Sequence, residues 1–182
     1  MDYVSLIFAL IILVIDAAFL SLSIGSLSMA PWVPSSQRSI RRGLKLADPK
    51  SGEIIYDLGC GNGTVIMNAV CNYSVKAIGI EIALPLIILC KIRYWINSKR
   101  NKLKGSACFK KANLFKEDLS KADIVYLFAL PKTLENKIRP KLERELKSGT
   151  KIISNVFEIK GWEPDVVDYE SGCSPVYLYI KK

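Results

Sequence analysis

The stretch that decides the fold is Glu53-Ile-Ile-Tyr-Asp-Leu-Gly-Cys-Gly-Asn-Gly63, continued by Thr64-Val-Ile-Met-Asn-Ala-Val-Cys71 and, after a short turn, by Lys76-Ala-Ile-Gly-Ile-Glu81. Residues 53–57 are apolar and β-rich, as a buried strand requires. Three glycines within residues 59–63 make a turn, and 64–71, apolar nearly all round, reads as a helix packed on a sheet. Residues 76–81 give a second strand that ends in an acid. Strand, glycine-rich turn, helix and strand in this order are the opening of a parallel α/β unit.

Outward from this unit the same alternation continues. Upstream, Pro31-Trp-Val-Pro34 is a rigid linker and Ser35 or Ser36 caps a short basic helix running to about Ala47. Residues 48–52 (DPKSG) form a turn. Downstream, an apolar helix spans about 85–98, strands are expected at 108–112 and 122–129, and helical patterns return over 132–147. Pro140 should split those patterns, opening a second short helix that Gly149 terminates. A fifth strand covers 150–155. Residues 165–169 and 176–180, around a Ser171-Gly172 turn, read as a closing antiparallel pair. The fold class is therefore α/β: a mostly parallel, Rossmann-like sheet with helices on both faces and a C-terminal antiparallel hairpin.

Composition removes several classes of chemistry. The chain has 182 residues, 26 Lys plus Arg against 17 Asp plus Glu, five Cys and no His. Without histidine there is no Ser-His-Asp triad, no Cys-His dyad and no His-ligated metal, and no metal site is expected. The cysteines (60, 71, 90, 108 and 173) form no C-x-x-C pair, so they read as reduced thiols with a packing role.

The first thirty residues are of another kind. Residues 3–27 (YVSLIFALIILVIDAAFLSLSIGSL) carry one charge, Asp16, and are long enough to cross a bilayer as one helix. A cleaved signal peptide is the rival, disfavoured by the missing positive n-region and the length of the apolar run. All 26 basic residues follow the span, beginning at Arg38, Arg41, Arg42 and Lys45, which places the C-terminal side in the cytoplasm. Asp16 at mid-span should face a partner helix or be protonated. The organisation expected is thus a single-pass anchor over 1–30, a linker and helix over 31–50, and the main domain over 51–182. Ten of the basic residues fall between Lys91 and Lys121, against Glu117 and Asp118. They follow the apolar run 82–90 and Tyr94-Trp95, as an interfacial surface touching anionic lipid would require. A buried helix with a solvated basic tail is the alternative. No nucleic-acid module is evident, and no nucleic-acid partner is expected.

The chemistry concentrates at residues 57–63 and Glu81. The glycines let the backbone approach a ligand, and an acid ending the second strand can accept both ribose hydroxyls, so a nucleoside ligand is implied. Counted from Gly59 the run is G-C-G-N-G-T, one place off the dinucleotide-binding spacing. The pattern D-x-G-x-G-x-G resembles instead the first motif of Rossmann-like S-adenosyl-L-methionine-dependent methyltransferases. That resemblance implies S-adenosyl-L-methionine as cofactor, with S-adenosyl-L-homocysteine as product. Asp57, Gly59, Cys60, Gly61, Gly63 and Glu81 would hold it, Asp57 toward the ammonium group. Further stretches extend the likeness over the domain: Val33-Pro-Ser35, Gly79-Ile-Glu81, Leu146-Lys-Ser-Gly-Thr150, Ser154-Asn-Val-Phe-Glu-Ile159, Gly161-Trp162 and Val176-Tyr-Leu-Tyr179. Together they resemble the small lysine methyltransferases shared by archaea and mitochondria, whose mitochondrial members are membrane-attached and modify the adenine nucleotide translocase and the c-ring protein of ATP synthase.

The resemblance implies a membrane-anchored protein-lysine N-methyltransferase acting on a protein substrate. A lipid or small-molecule methyltransferase, or a non-catalytic binding protein that keeps the nucleoside site, stays open. Two departures stand out. Asn113 occupies the place where many relatives use Asp toward the adenine amino group, and it can still accept a hydrogen bond. The fourth strand ends Phe128-Ala-Leu-Pro131 rather than in Asn-Pro-Pro-Tyr, which disfavours amide or nucleobase targets. A lysine amine must shed its proton before attack. Glu158, following the fifth strand, is the candidate to receive or orient that amine, with a surface carboxylate as the alternative. Phe128, Leu130 and Asn155 are candidates to line the lysine channel.

Overall fold

In the computed structural model, residues 35–182 are described throughout. Ahead of them Tyr3, Val4, Leu6, Ile7, Phe8, Ile12, Leu13 and Asp16 are described as helical and exposed. The expected span over 3–27 and the linker over 31–34 otherwise lie outside the described residues. Among the described residues no helix is long and apolar enough to cross a membrane.

The chain runs α1 (Gln37–Ala47), β1 (Ile54–Leu58), α2 (Thr64–Asn72), β2 (Lys76–Glu81), α3 (Leu84–Lys99), β3 (Ser106–Lys111) and β4 (Ile124–Leu127). It continues through α4 (Pro131–Thr133), a π-helical turn (Leu134–Ile138), α5 (Arg139–Glu145), β5 (Lys151–Asn155), β6 (Val166–Asp168) and β7 (Val176–Ile180). The strands form one seven-stranded sheet in the order β3-β2-β1-β4-β5-β7-β6. β1 to β5 pair parallel, and β7 runs antiparallel to both β5 and β6. The expected hairpin is therefore real, and β7 inserts between β5 and β6. The strand order reverses at β1 and β4, the crevice where sheets of this kind take ligands.

The period-2 alternation of each strand divides the core. Ile55, Ile124, Tyr126, Ile153, Val176 and Leu178 face α1, α2 and α3. Tyr56, Leu58, Val125, Leu127, Ile152 and Tyr179 face the helices that follow β4, through Leu134, Ile138 and Leu142. α1 begins as expected, with Ser36 Oγ accepting from the Ser39 amide at 3.0 Å. It lies so close to the sheet that a Cβ at Gly43 would sit 2.9 Å from Ile153 Cγ2, so only glycine fits. Arg42 then ties the helix to the hairpin, donating to the Asp168 carboxylate at 3.0 and 3.1 Å and to the Asp168 and Ser174 carbonyls.

Three expectations need adjustment. The helical region after β4 does divide at Pro140, with α5 opening at Arg139 and the proline in its first turn, but the chain stays right-handed helical across the junction, a wider π turn precedes it, and α5 ends at Glu145, ahead of Gly149. β3 begins two residues early, at Ser106, because it is an edge strand with only Phe109 buried and little apolar pattern to mark it. The cysteines are free, but only Cys60 and Cys90 are buried, while Cys108 is exposed on that edge.

Candidate active site

The turn after β1 is built on positive-φ glycines: Gly59, Gly61 and Gly63 have φ of 82°, 52° and 74°. Side chains rarely adopt these values, which is why the sequence places glycine at each. The Gly59 and Cys60 amides both donate to the Ile80 carbonyl at 3.0 and 2.9 Å, curling the turn over the end of β2. There Glu81 takes hold of it. Glu81 Oε2 accepts the Gly61 amide at 2.9 Å, and Oε1 accepts the Ile82 and Ala83 amides at 2.8 and 2.9 Å. Three of the roughly four acceptor positions of a carboxylate are thus occupied, and the group is oriented at the carboxyl edge with acceptor capacity left. From α3, Arg93 donates to the Asn62 carbonyl at 2.6 Å, and Cys90 Sγ to the Gly61 carbonyl at 3.2 Å. Cys60 packs beneath the turn. Contact with the Cys90 thiol and burial hold its own thiol well above the usual range, so it is an unreactive packing group.

Asp57, near the end of β1, is buried and its Oδ2 has no partner. Desolvation first, and the Glu81 charge second, push its carboxyl up to about 8. On β4, Tyr126 pairs in register with Asp57, and Asn155 ends β5 two residues beyond the Ile153 that pairs with Tyr126. The three side chains therefore share one sheet face at neighbouring carboxyl edges. Asn155 Nδ2 donates to Ser35 Oγ at 3.0 Å, which brings the start of α1 over the same place. Val156 follows with φ 75°, strained for a β-branched residue, its amide held by the Pro175 carbonyl at 2.9 Å.

The structure thus brings together Asp57, the three glycines, Cys60, Glu81 and Asn155. Phe128 stands at the end of β4 with its ring 6.0 Å from that of Phe157, and Leu130 is exposed beside it in sequence. Asn113 is exposed after β3, and its Oδ1 caps a short turn by accepting the Phe115 amide at 3.0 Å. Glu158 is exposed on the loop after β5. Its charge acts on Tyr177 and Tyr179 of β7, apart from the Asp57 cluster. Tyr126 was not singled out from sequence, and Ser35 and Phe157 entered only as a helix-cap candidate and as parts of the matching stretches, not as site residues. Tyr126 looks like core within Ile-Val-Tyr-Leu, and its register with Asp57 is a property of strand pairing alone.

An unpartnered acidic oxygen, an oriented second carboxylate and a close-approach turn form a donor set that fits a nucleoside carrying an amino acid tail. Comparison with known proteins agrees. Residues 57–166 match the family described as the ANTKMT methyltransferase domain. A protein-lysine N-methyltransferase of Saccharolobus islandicus is 40% identical over 155 residues, covering 82% of this chain and 92% of that protein. An adenine nucleotide translocase lysine N-methyltransferase of Mus musculus is 29% identical over 149 residues, covering 82% of this chain and 62% of that protein. An RNA methyltransferase from Salinibacter ruber, solved in complex with S-adenosyl-L-homocysteine, superposes with a TM-score of 0.74 at 30% identity, covering 81% and 93%. The chain belongs to the ANTKMT methyltransferase domain family and is an S-adenosyl-L-methionine-dependent methyltransferase with the Rossmann-like methyltransferase fold.

Proposed function

We propose that this chain is a membrane-anchored protein-lysine N-methyltransferase with its catalytic domain in the cytoplasm. The observation that carries the acceptor class is the 40% identity, over nearly the whole length of the relative, to a protein named as a protein-lysine N-methyltransferase. S-adenosyl-L-methionine supplies an electrophilic methyl on a sulfonium. What remains for the protein is to hold the amine in line, exclude water and let the amine lose its proton. Glu81 and the glycine turn hold the nucleoside, and Asn113 lies on the rim where the base would be met. Phe128, Phe157 and Leu130 offer apolar surface for the methylene stem of a lysine. Glu158, exposed on the rim, attracts a cationic side chain to the mouth, while Asp57 and Asn155 stand deeper at the carboxyl edge.

The membrane reading rests on residues 3–27 and on the outer face of α3. Leu84, Ile88, Leu89, Ile92 and Trp95 are all exposed there, opposite the buried Leu86, Ile87 and Cys90. Lys91, Lys99, Arg100, Lys102 and Lys104 flank the stripe, as contact with an anionic bilayer surface would need. Transfer to RNA is a second reading, favoured by the name of the Salinibacter ruber structure and by the same basic segment.

One labelling experiment separates the readings. With radiolabelled cofactor and native membranes, methyllysine recovered after protein hydrolysis supports the lysine reading. Label confined to RNA or to the chloroform extract refutes it.

A further inference from the structure

We propose that Arg93 is a positioning residue for the cofactor: from α3 it holds the glycine turn by a carbonyl oxygen, so that the turn is set for its ligand before the ligand arrives. Gly59, Gly61 and Gly63 supply the positive φ values the turn needs, and the same freedom leaves its peptide units loose unless something outside fixes them. α3 supplies that restraint. Cys90 Sγ donates to the Gly61 carbonyl at 3.2 Å, and Arg93 Nη1 donates to the Asn62 carbonyl at 2.6 Å. The peptide units on both sides of Asn62 are thus held from one helix.

The carbonyl and N–H of a trans peptide point in opposite directions. Drawing the Gly61 and Asn62 carbonyls to α3 therefore turns the Asn62 and Gly63 amides away from it. The Gly63 amide meets the Cys60 carbonyl at 2.8 Å and closes the turn on itself. The Asn62 amide faces away from α3, which packs over β2 and β3, and so toward the crevice between β1 and β4. A flip of the Gly61-Asn62 unit would set a carbonyl there instead of a donor. On the other side, Glu81 Oε2 holds the Gly61 amide at 2.9 Å, so the turn is strung between that carboxylate and α3. Loosening one end misplaces the other.

Place and chemistry suit Arg93 to the task. Leu86, Cys90 and Arg93 follow helical spacing on the inward side of α3, so Arg93 leaves the basic surface where Lys91 and Lys99 are exposed and reaches the turn. Among the described residues no carboxylate forms an ion pair with it, and its charge is directed at the turn. The same Nη1 reaches Thr64 Oγ1 at 3.2 Å, and that hydroxyl donates its hydrogen to Asn62 Oδ1 at 2.6 Å. Main chain and side chain of Asn62 are thereby closed into one ring of hydrogen bonds with Arg93 and Thr64.

Three variants of the full chain, solubilised in detergent, test this. Arg93→Met keeps the stem without the donor, and its calorimetric affinity for S-adenosyl-L-homocysteine should fall roughly tenfold to a hundredfold, as loss of a hydrogen bond from a charged group predicts. Arg93→Lys keeps a cationic donor and should recover part of that loss. Thr64→Val should lose less, and its loss combined with that of Arg93→Met should fall short of additive, because both act on Asn62. Hydrogen exchange of the ligand-free protein separates positioning from general destabilisation. In Arg93→Met, residues 59–63 should exchange faster while β4 and β5 keep wild-type protection. Wild-type affinity in Arg93→Met would overturn the proposal, and so would a loss of protection spread equally over β4 and β5, the mark of a residue that only holds the fold together. Should Arg93→Met not fold, the other two variants decide: unchanged affinity in both overturns it.

Discussion

Asp57→Asn should stabilise the ligand-free protein at neutral and alkaline pH. The carboxyl is buried, has one oxygen without a partner, and is pushed from 3.8 up to about 8 by desolvation and by Glu81. In the unfolded chain it ionises near 3.9. Because the folded value is the higher one, the native state holds the proton more tightly. Its contribution is fully present below about pH 4 and is lost progressively as pH rises to about 8. At pH 7 the difference spans about three pH units, about 4 kcal/mol as an upper bound at 1.36 kcal/mol per unit. Relaxation around the ionised carboxylate brings the expected effect to about 2–4 kcal/mol. The isosteric amide carries no charge at any pH, so its variant escapes this loss. At roughly 3 °C per kcal/mol for a chain of this size, melting should rise by about 6–12 °C at pH 7 and by only about 1–3 °C at pH 4.5. Thermal unfolding of both proteins across pH 4.5–9 reads this directly. Parallel curves for the two proteins, or a variant less stable throughout, would show that Asp57 is not a strained buried acid and would refute the reasoning.

Three other outcomes follow from the same geometry. Glu81→Gln places an amide donor where Oε2 or Oε1 now accepts a backbone N–H. Calorimetric affinity for S-adenosyl-L-homocysteine should fall roughly tenfold to a hundredfold, and an unchanged affinity would remove Glu81 from the site. At Gly79 a Cβ would lie 2.7 Å from Cys60 Sγ and 3.1 Å from Phe109, so Gly79→Ala should cost about 1–3 kcal/mol in chemical denaturation. Cys60→Ala in the same chain should recover part of that loss, and a double variant no better than the single one would contradict the packing. In vesicles of anionic lipid brominated on the acyl chain, the emission attributable to Trp95, taken as the difference from Trp95→Phe, should be quenched. Ile88→Ser with Ile92→Ser should weaken that quenching, and its absence in wild type would remove α3 from the bilayer surface.

Much of the fold was legible because its first half is written in strong signals. The strand 76–81 falls where the apolar run and the closing acid put it, and α1 starts at its serine cap. The site was legible to the extent that backbone needs dictate residue type: positive φ demanded the glycines, and the strand end demanded Glu81. Legibility ended where tertiary pairing decides. The neighbourhood of Asp57, Tyr126 and Asn155 depends on β4 lying beside β1 and β5 beside β4, which no local pattern encodes. Lys141 is a comparable case. A helix surface pattern would leave it in solvent, yet it is buried, donating to the Glu117 carbonyl at 2.5 Å and Glu145 at 2.6 Å. Glu158, the carboxylate expected after β5, is exposed on its loop, while Asp57 of β1 is buried, and their different depths follow from loop and strand geometry that local sequence does not encode.

The way the chain enters its domain bears on which lysines it could reach. Ser35 is hydrogen-bonded to Asn155 at the carboxyl edge, and α1 follows at once, locked by the close packing of Gly43 and by Arg42 on Asp168. The first described residue of the continuous chain is thus already tied to the carboxyl edge of the sheet, with no slack between them. On the proposed anchoring, seven residues lie between the end of the apolar run at Leu27 and Ser35, eight steps along the chain. Even fully extended they reach no more than about 29 Å, so the site stays within that height of the point where the anchor leaves the bilayer. The exposed stripe of α3, on the sheet face that α1 also covers, would shorten the distance and fix the tilt by adding a second contact. Two contacts restrain a rigid domain far more than one tether does. An acceptor lysine on a loop near the bilayer surface then meets the site at high effective concentration, whereas a lysine on a freely diffusing protein gains nothing from the anchor.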